Sequence, residues 1–183
     1  MDNTQQMPPE RHIGAVNWVG LGTLYGKECR RFFKVWLQTI VAPTITSMLF
    51  LAVFSLALGR AVPEIGGVSF LQFMAPGLIV MAMMQNAFAN TSSSLMISKV
   101  QGNVVDVLMP PLSPGELLIG FAMGGVSRGL VVAVVLSLVM LPFVHLEVHH
   151  FGFLLLHAFA ASMMLSLLGL LTAIWAEKFD QLA

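Results

Sequence analysis

Ser98–Glu116, SKVQGNVVDVLMPPLSPGE, is a short, charged and proline-broken stretch with a long apolar run on either side. Its apolar residues Val100, Val104, Val107 and Leu108 recur at i, i+4, i+7 and i+8, the spacing of one helical face. Gln101, Asn103 and Asp106 fall toward the other face, so the pattern predicts a short amphipathic helix over about Lys99–Leu108. Pro110 and Pro111 end it. Ser113-Pro114-Gly115-Glu116 then supplies a fresh helix start, with serine as N-cap, proline at the first helical position and glutamate at the third.

The flanking runs fix the class of the molecule. Residues 35–59, 65–98 and 148–176 contain no Asp, Glu, Lys or Arg, and residues 117–146 contain only Arg128. About 20 helical residues cross the hydrocarbon layer, so each run holds one span. The predicted spans are 36–59, 70–97, 115–144 and 151–176. Composition agrees: 57% of the 183 residues are hydrophobic and 10% charged, against about 25% charged in soluble domains, and mean hydropathy is +0.84. The expected fold is all-α, a polytopic membrane helix bundle with four transmembrane helices. It comprises a polar, Pro8-Pro9-containing tail over residues 1–16, expected to be mobile, and a membrane domain over 17–183. No short apolar segment with a small-residue cleavage site occurs near the start, so the first span is expected to be retained.

Charge distribution orients the bundle. With the N-terminus inside, Arg11, Lys27, Arg30, Arg31, Lys34, Lys99 and Lys178 lie on the cytoplasmic side and Arg60 alone lies outside. Ser98–Glu116 is then cytoplasmic, with 60–69 and 145–150 external. Ahead of the first span, Trp18, Leu21, Tyr25, Cys29 and Phe32 share a helical face, and Lys27, Arg30, Arg31 and Lys34 occupy another. Such a helix lies in the membrane interface with its cations toward anionic headgroups, or forms the positive flank of the first span.

Polar residues inside the spans are few. Asn86, Asn90 and Ser93 follow i, i+4, i+7 in the second span, accompanied by Gln85, Thr91, Ser92 and Ser94. This stripe serves either interhelical hydrogen bonding or a substrate path. Arg128 is the one full charge within a span, and inserting it costs on the order of 2.5–3.5 kcal/mol at a helix centre. It is expected to meet backbone carbonyls, the Asn/Ser stripe, an outside carboxylate or an anionic part of a substrate. Gly120 and Gly124 share its face, Gly125 and Gly129 form a second small pair, and Ala158, Ser162, Ser166, Gly169 and Ala173 repeat the theme in the fourth span, all permitting close helix approach.

Several chemistries are disfavoured. Net charge is zero, so no basic field points to nucleic acid. His145, Glu147, His149 and His150 cluster in an external turn, but no HExxH arrangement completes a metal site, and the lone Cys29 joins no cluster. His157 has no carboxylate at helical spacing, which argues against a proton relay. No phosphate loop, paired carboxylates or nucleophile motif is present, so the chain is not expected to be an enzyme or to hold a cofactor.

One family fits this order of parts. A basic interfacial helix, a span, Phe73-Met74-Ala75-Pro76-Gly77-Leu78 opening the second span, a cytoplasmic helix ending in proline, and Gly120 early in the third span together resemble the membrane (permease) subunit of type-2 ABC export systems, the class that includes drug and polysaccharide exporters. The resemblance runs from about Asn17 onward. It implies that Lys99–Leu108 is the coupling helix that docks on a separate ATPase subunit, with Val104, Asp106 and Leu108 as contacts and Val100 and Val107 on the same short helix. It further implies a second ATPase contact near 17–33, a homodimer with a second permease copy, and ATP and Mg held by the partner rather than by this chain. Family members have six spans, and Phe179-Asp180-Gln181-Leu182 resembles the turn into the fifth, so the sequence is read as stopping inside that turn. The other readings are a non-transporting four-span scaffold and an ion- or metal-coupled carrier using the histidine-rich turn.

Overall fold

A computed structural model describes Gly14, residues 16–59, Val62, residues 64–145 and residues 148–181. Most of the N-terminal tail, Arg60, Leu146, Glu147 and Leu182 lie outside the described residues, and with them the tail's expected mobility, the external arginine and part of the histidine-rich turn. The first helix, α1, spans Trp18–Lys34 and starts where the Asn17 side chain accepts from the Gly20 N–H. A π-helical turn, Leu37–Val41, leads into α2, Ala42–Leu58. Pro43 cannot donate a hydrogen bond and its ring crowds the preceding turn; the wider turn just before it, closed by Ala42 N–H to the Leu37 carbonyl, makes room.

A two-residue hairpin follows, with Glu64–Ile65 (β1) antiparallel to Val68–Ser69 (β2). Gly66 and Gly67 make its turn at φ of 61° and 84°, left-handed values that suit a type I′ connection and glycine alone tolerates freely. The helical expectation omitted this hairpin.

Helix α3 runs from Phe70 to Val100, opened by a reciprocal capping box between Ser69 and Gln72. It ends at Gly102, φ 73°, where Asn103 N–H reaches the Ser98 carbonyl and Gly102 N–H the Lys99 carbonyl, the double bond of a Schellman motif. Helix α4 is therefore only Val104–Leu108, shorter than the predicted 99–108. Val100 closes α3 and shares no helical face with Val104, because Gly102 turns the chain between them. The predicted capping box at Ser113 and Glu116 is present and opens α5, Pro114–Met140. That helix stops short of the predicted 144: Leu141 still has helical backbone angles, but Pro142 has no N–H with which to continue the hydrogen-bond ladder. Helix α6, Phe151–Trp175, and a 3₁₀ turn at Phe179–Gln181 complete the described chain.

Among the described residues four helical segments are long and apolar enough to cross a membrane: Leu37–Leu58, α3, α5 and α6. The protein is thus an all-α polytopic membrane bundle. Helix α3 is central, packed most extensively on α6 and α5, while α1 packs along α5 and α2 leans on α3. One apolar cluster, around Leu51, Leu78, Val132, Leu136 and Met140, joins α2, α3 and α5 toward the hairpin end. A second, around Leu24, Phe121, Ala122 and Leu170, joins α1, α5 and α6 toward the α4 end. Close approach of α3 and α5 depends on Gly129: a Cβ there would sit 2.8 Å from the Met83 carbonyl oxygen. Leu49, Phe50, Val53 and Leu56 of α2 stay exposed, as suits a lipid-facing surface.

Candidate functional site

The α4 end of the bundle is tied together by two polar joints. The first is Glu116. One carboxylate oxygen accepts from Ser113 N–H at 2.6 Å and the other from Asn17 N–H at 2.5 Å. Asn17 also donates from its side chain to the Pro111 carbonyl at 3.2 Å. A single side chain therefore fixes the starts of α1 and α5 to each other, with the α4–α5 turn between them. Leu112 then lies against Gly20, where an added Cβ would come within 2.7 Å of it.

The second joint lies further along α1. Leu24, Glu28 and Phe32 form its buried stripe; of the face Trp18, Leu21, Tyr25, Cys29 and Phe32 read from the sequence, Phe32 joins this stripe, Leu21 and Cys29 are half-buried, and Trp18 and Tyr25 are exposed. Glu28 is fully buried and accepts from Ser94 Oγ at 2.7 Å and from Arg31 at 3.0 Å. The same arginine donates to the Asn90 carbonyl at 2.7 Å, the Asn90 side-chain oxygen at 3.0 Å and Ser93 Oγ at 3.3 Å. Lys27, Arg30 and Lys34 are exposed, as expected for a cationic face. Arg31 is the exception: it turns inward because a buried carboxylate and three α3 acceptor atoms outweigh hydration of its head. Glu28 is absent from the predicted set, although the i, i+4, i+8 spacing of Leu24, Glu28 and Phe32 and the i, i+3 pairing with Arg31 were its signals.

One turn away, Arg128 donates through Nε and Nη2 to Asn86 Oδ1 at 3.2 and 3.0 Å, and Asn86 donates to the Ala82 carbonyl. The Asn86, Asn90 and Ser93 stripe therefore faces α1 and α5 and meets both arginines, the arrangement expected for Arg128 with the Asn/Ser stripe. Gly124 makes this approach possible, since a Cβ there would lie 2.7 Å from Cβ of Glu28. Lys99 caps α6: its Nζ donates to the carbonyls of Ala173, Ile174 and Ala176 at 2.9, 2.8 and 2.7 Å. On the outside of this end, Val105, Leu108 and Met109 are 57%, 62% and 75% exposed. Asp106 is exposed too, Val104 is half-buried, and Val107 packs on the second apolar cluster. The described residues hold no group of three or more metal-ligating side chains.

A bundle of four spans with one reinforced, apolar-tipped end has the form of a membrane subunit, and sequence comparison decides which. The model of the family described as ABC-2 type transporter matches residues 20–183. The chain belongs to the ABC-2 type transporter family. It is similar to the inner membrane transport permease YadH of Escherichia coli strain K12, at 36% identity over 166 residues, covering 91% of this chain and 65% of the relative. The Shigella flexneri protein of the same name matches with the same identity and coverage. The chain thus spans just under two thirds of the length of these ABC-2 relatives. No solved structure gives a significant match.

Proposed function

We propose that the chain is the membrane-embedded part of a permease subunit in an ATP-driven export system, working beside a separate ATPase subunit and a second permease copy. The observation that carries this reading is the apolar tip Val105, Leu108 and Met109, exposed on and just after a five-residue helix that is too short to stand alone. The turn that follows it is tied to α1 and α5 through Asn17 and Glu116, and α1 in turn to α3 through Glu28 and Arg31. A tip so built suits a moving soluble partner, since displacement of α4 passes through Glu116 to α1 and through Glu28 and Arg31 to α3. Val100, Val104, Asp106, Val107 and Leu108 together form or flank this coupling segment.

In this reading the α4 end is cytoplasmic, and the chain sits in the inner (plasma) membrane of a bacterial cell. Residues 17–183 then form a permease domain. The ATPase supplies ATP and Mg, and this chain catalyses no reaction. ATP-driven closure of the partner moves the coupling segments and switches access between the two permeases. Asn86, Asn90, Ser93 and Arg128 border the path once their mutual bonds open, and an amphipathic or lipid-linked substrate suits walls of this polarity. The test is co-purification with the phosphate-loop ATPase encoded in the same transcription unit. Leu108→Asp and Met109→Asp are expected to reduce recovered ATPase at least tenfold; recovery equal to wild type contradicts the reading.

A further inference from the structure

The junction between α1 and the first span leaves helical geometry. Val35, just after α1, has φ −113° and ψ 40°, and the wide turn Leu37–Val41 follows. The sequence sets its place: Pro43 has no N–H for the Thr39 carbonyl four residues back, so an α-helical ladder cannot run unbroken through Thr39. The side chain of Thr39 is affected too. Thr23, Thr44 and Thr46 each donate a hydroxyl to the carbonyl four residues earlier, at 2.7, 2.7 and 2.9 Å, the usual back-bond of a helical threonine. Thr39 is 1% exposed, and its hydroxyl has no partner among the described residues. Of the four buried side-chain atoms left unpaired among those residues, three lie here: Thr39 Oγ1, with Arg31 Nε and Asn90 Nδ2 of the α1–α3 joint just before Val35.

Two separately seated bodies meet at this junction. Helix α1 is bonded to α3 through Glu28 and Arg31 and, at its start, to the turn after α4, whereas Leu51 seats α2 in the apolar cluster at the hairpin end. We propose that residues 35–41 are a hinge on which α1 swings relative to the first span, with the Thr39 hydroxyl bonded only in the swung state. When the start of α1 is drawn aside, Glu28 and Arg31 part from α3, Val35 turns helical, and Thr39 donates its hydroxyl to the Val35 carbonyl like the other threonines. That acceptor is within reach, since it already receives the Thr39 N–H at 2.9 Å. Proline and π-turns are the usual causes of sharp helix bends, and π-turns recur at functional positions. Buried polar groups nearly always find a hydrogen bond, and leaving one unpaired costs more than a typical bond contributes. The unpaired hydroxyl therefore raises the described arrangement toward the swung one and narrows the gap between them, as a two-state joint requires. Without it, the bonds of Arg31 to Asn90 and Ser93 would hold α1 in one place.

The hinge needs no partner to be observed, so its test is separate from that of the export reading. In the intact chain in lipid nanodiscs, with Cys29→Ser, spin labels on cysteines placed at Lys27 and Leu56, both exposed, measure α1 against α2 by double electron–electron resonance. Two distances are expected, the second enriched by Glu28→Gln, which weakens the hold on α3. Thr39→Val is expected to reduce the second population about fivefold, the effect of one hydrogen bond, and Thr39→Ser to restore it; a residue that only fills space would not separate valine from serine in this way. Pro43→Ala, which lets the helical ladder close through Thr39, is expected to leave one distance; if that variant does not fold, the two Thr39 variants decide. A single distance in the wild type and Glu28→Gln alike overturns the hinge, as does a second population equal in Thr39→Val and the wild type. A matching second distance between Leu56 and Leu118 of α5, also exposed, overturns it as well, because the whole bundle rather than α1 would then be moving.

Discussion

Replacing Glu28 with alanine removes the acceptor of both Ser94 and Arg31 from a fully buried position. Arg31 keeps partial access to water, at 27% side-chain exposure. The loss is therefore expected below the roughly 3–5 kcal/mol of breaking a fully buried pair, yet well above the ~0.6 kcal/mol of an average interhelical hydrogen bond. Ser94→Ala, which removes only one donor, is expected near that smaller figure. Thermal unfolding of the two variants in detergent checks the order. A similar asymmetry applies one turn away: Asn86→Leu leaves the Arg128 guanidinium without its one described acceptor inside a span, whereas Arg128→Met leaves Asn86 still bonded to the Ala82 carbonyl. Asn86→Leu is expected to be the more destabilising, measured in the same way, because an unpaired charge in the bilayer costs on the order of 2.5–3.5 kcal/mol. Arg128 was legible from the sequence as the one charge in a span, and the Asn/Ser stripe was among its expected partners, but the choice of Asn86 over the alternatives was not. Glu28 was not, because four cations nearby dominate the charge pattern of α1 and its partners on α3 lie more than sixty positions away.

Helix contacts separate into those that yield and those that do not. At Gly120 an added Cβ meets the end of the Leu24 side chain, which can rotate away, but at Gly129 it meets the Met83 backbone carbonyl. Gly129→Ala is expected to cost about 1–3 kcal/mol by forcing α3 and α5 apart, and Gly120→Ala less; comparison of their unfolding temperatures tests this. Lys99→Met removes the donor that holds three terminal carbonyls of α6. Faster amide hydrogen exchange is expected over residues 173–181, with α5 unchanged. The spans and the Ser113 capping box could be read from apolar runs and local helix-start chemistry, because both signals are short in sequence. The extent of α4 could not: the valine spacing ran through Gly102, and only its left-handed backbone revealed that Val100 belongs to α3. The Lys99 cap and the Glu116–Asn17 bond join residues far apart in the chain, and no periodicity reports such pairs.

At the scale of the whole molecule, the bundle has one end reinforced by polar joints and tipped by exposed apolar residues, the end proposed to meet a soluble partner. Helix α1 packs along α5 and is bonded to α3, so it links the turn after α4 to the spans. In the proposed orientation that end is cytoplasmic, as coupling to an ATPase requires and as the excess of Lys and Arg in 1–34, at Lys99 and at Lys178 favours. A single cysteine at Leu108, introduced with Cys29→Ser, measures it directly, because Leu108 is 62% exposed at the tip. A membrane-impermeant maleimide is expected to label this position in inverted vesicles and not in spheroplasts. Labelling from the outer face of spheroplasts would contradict the account.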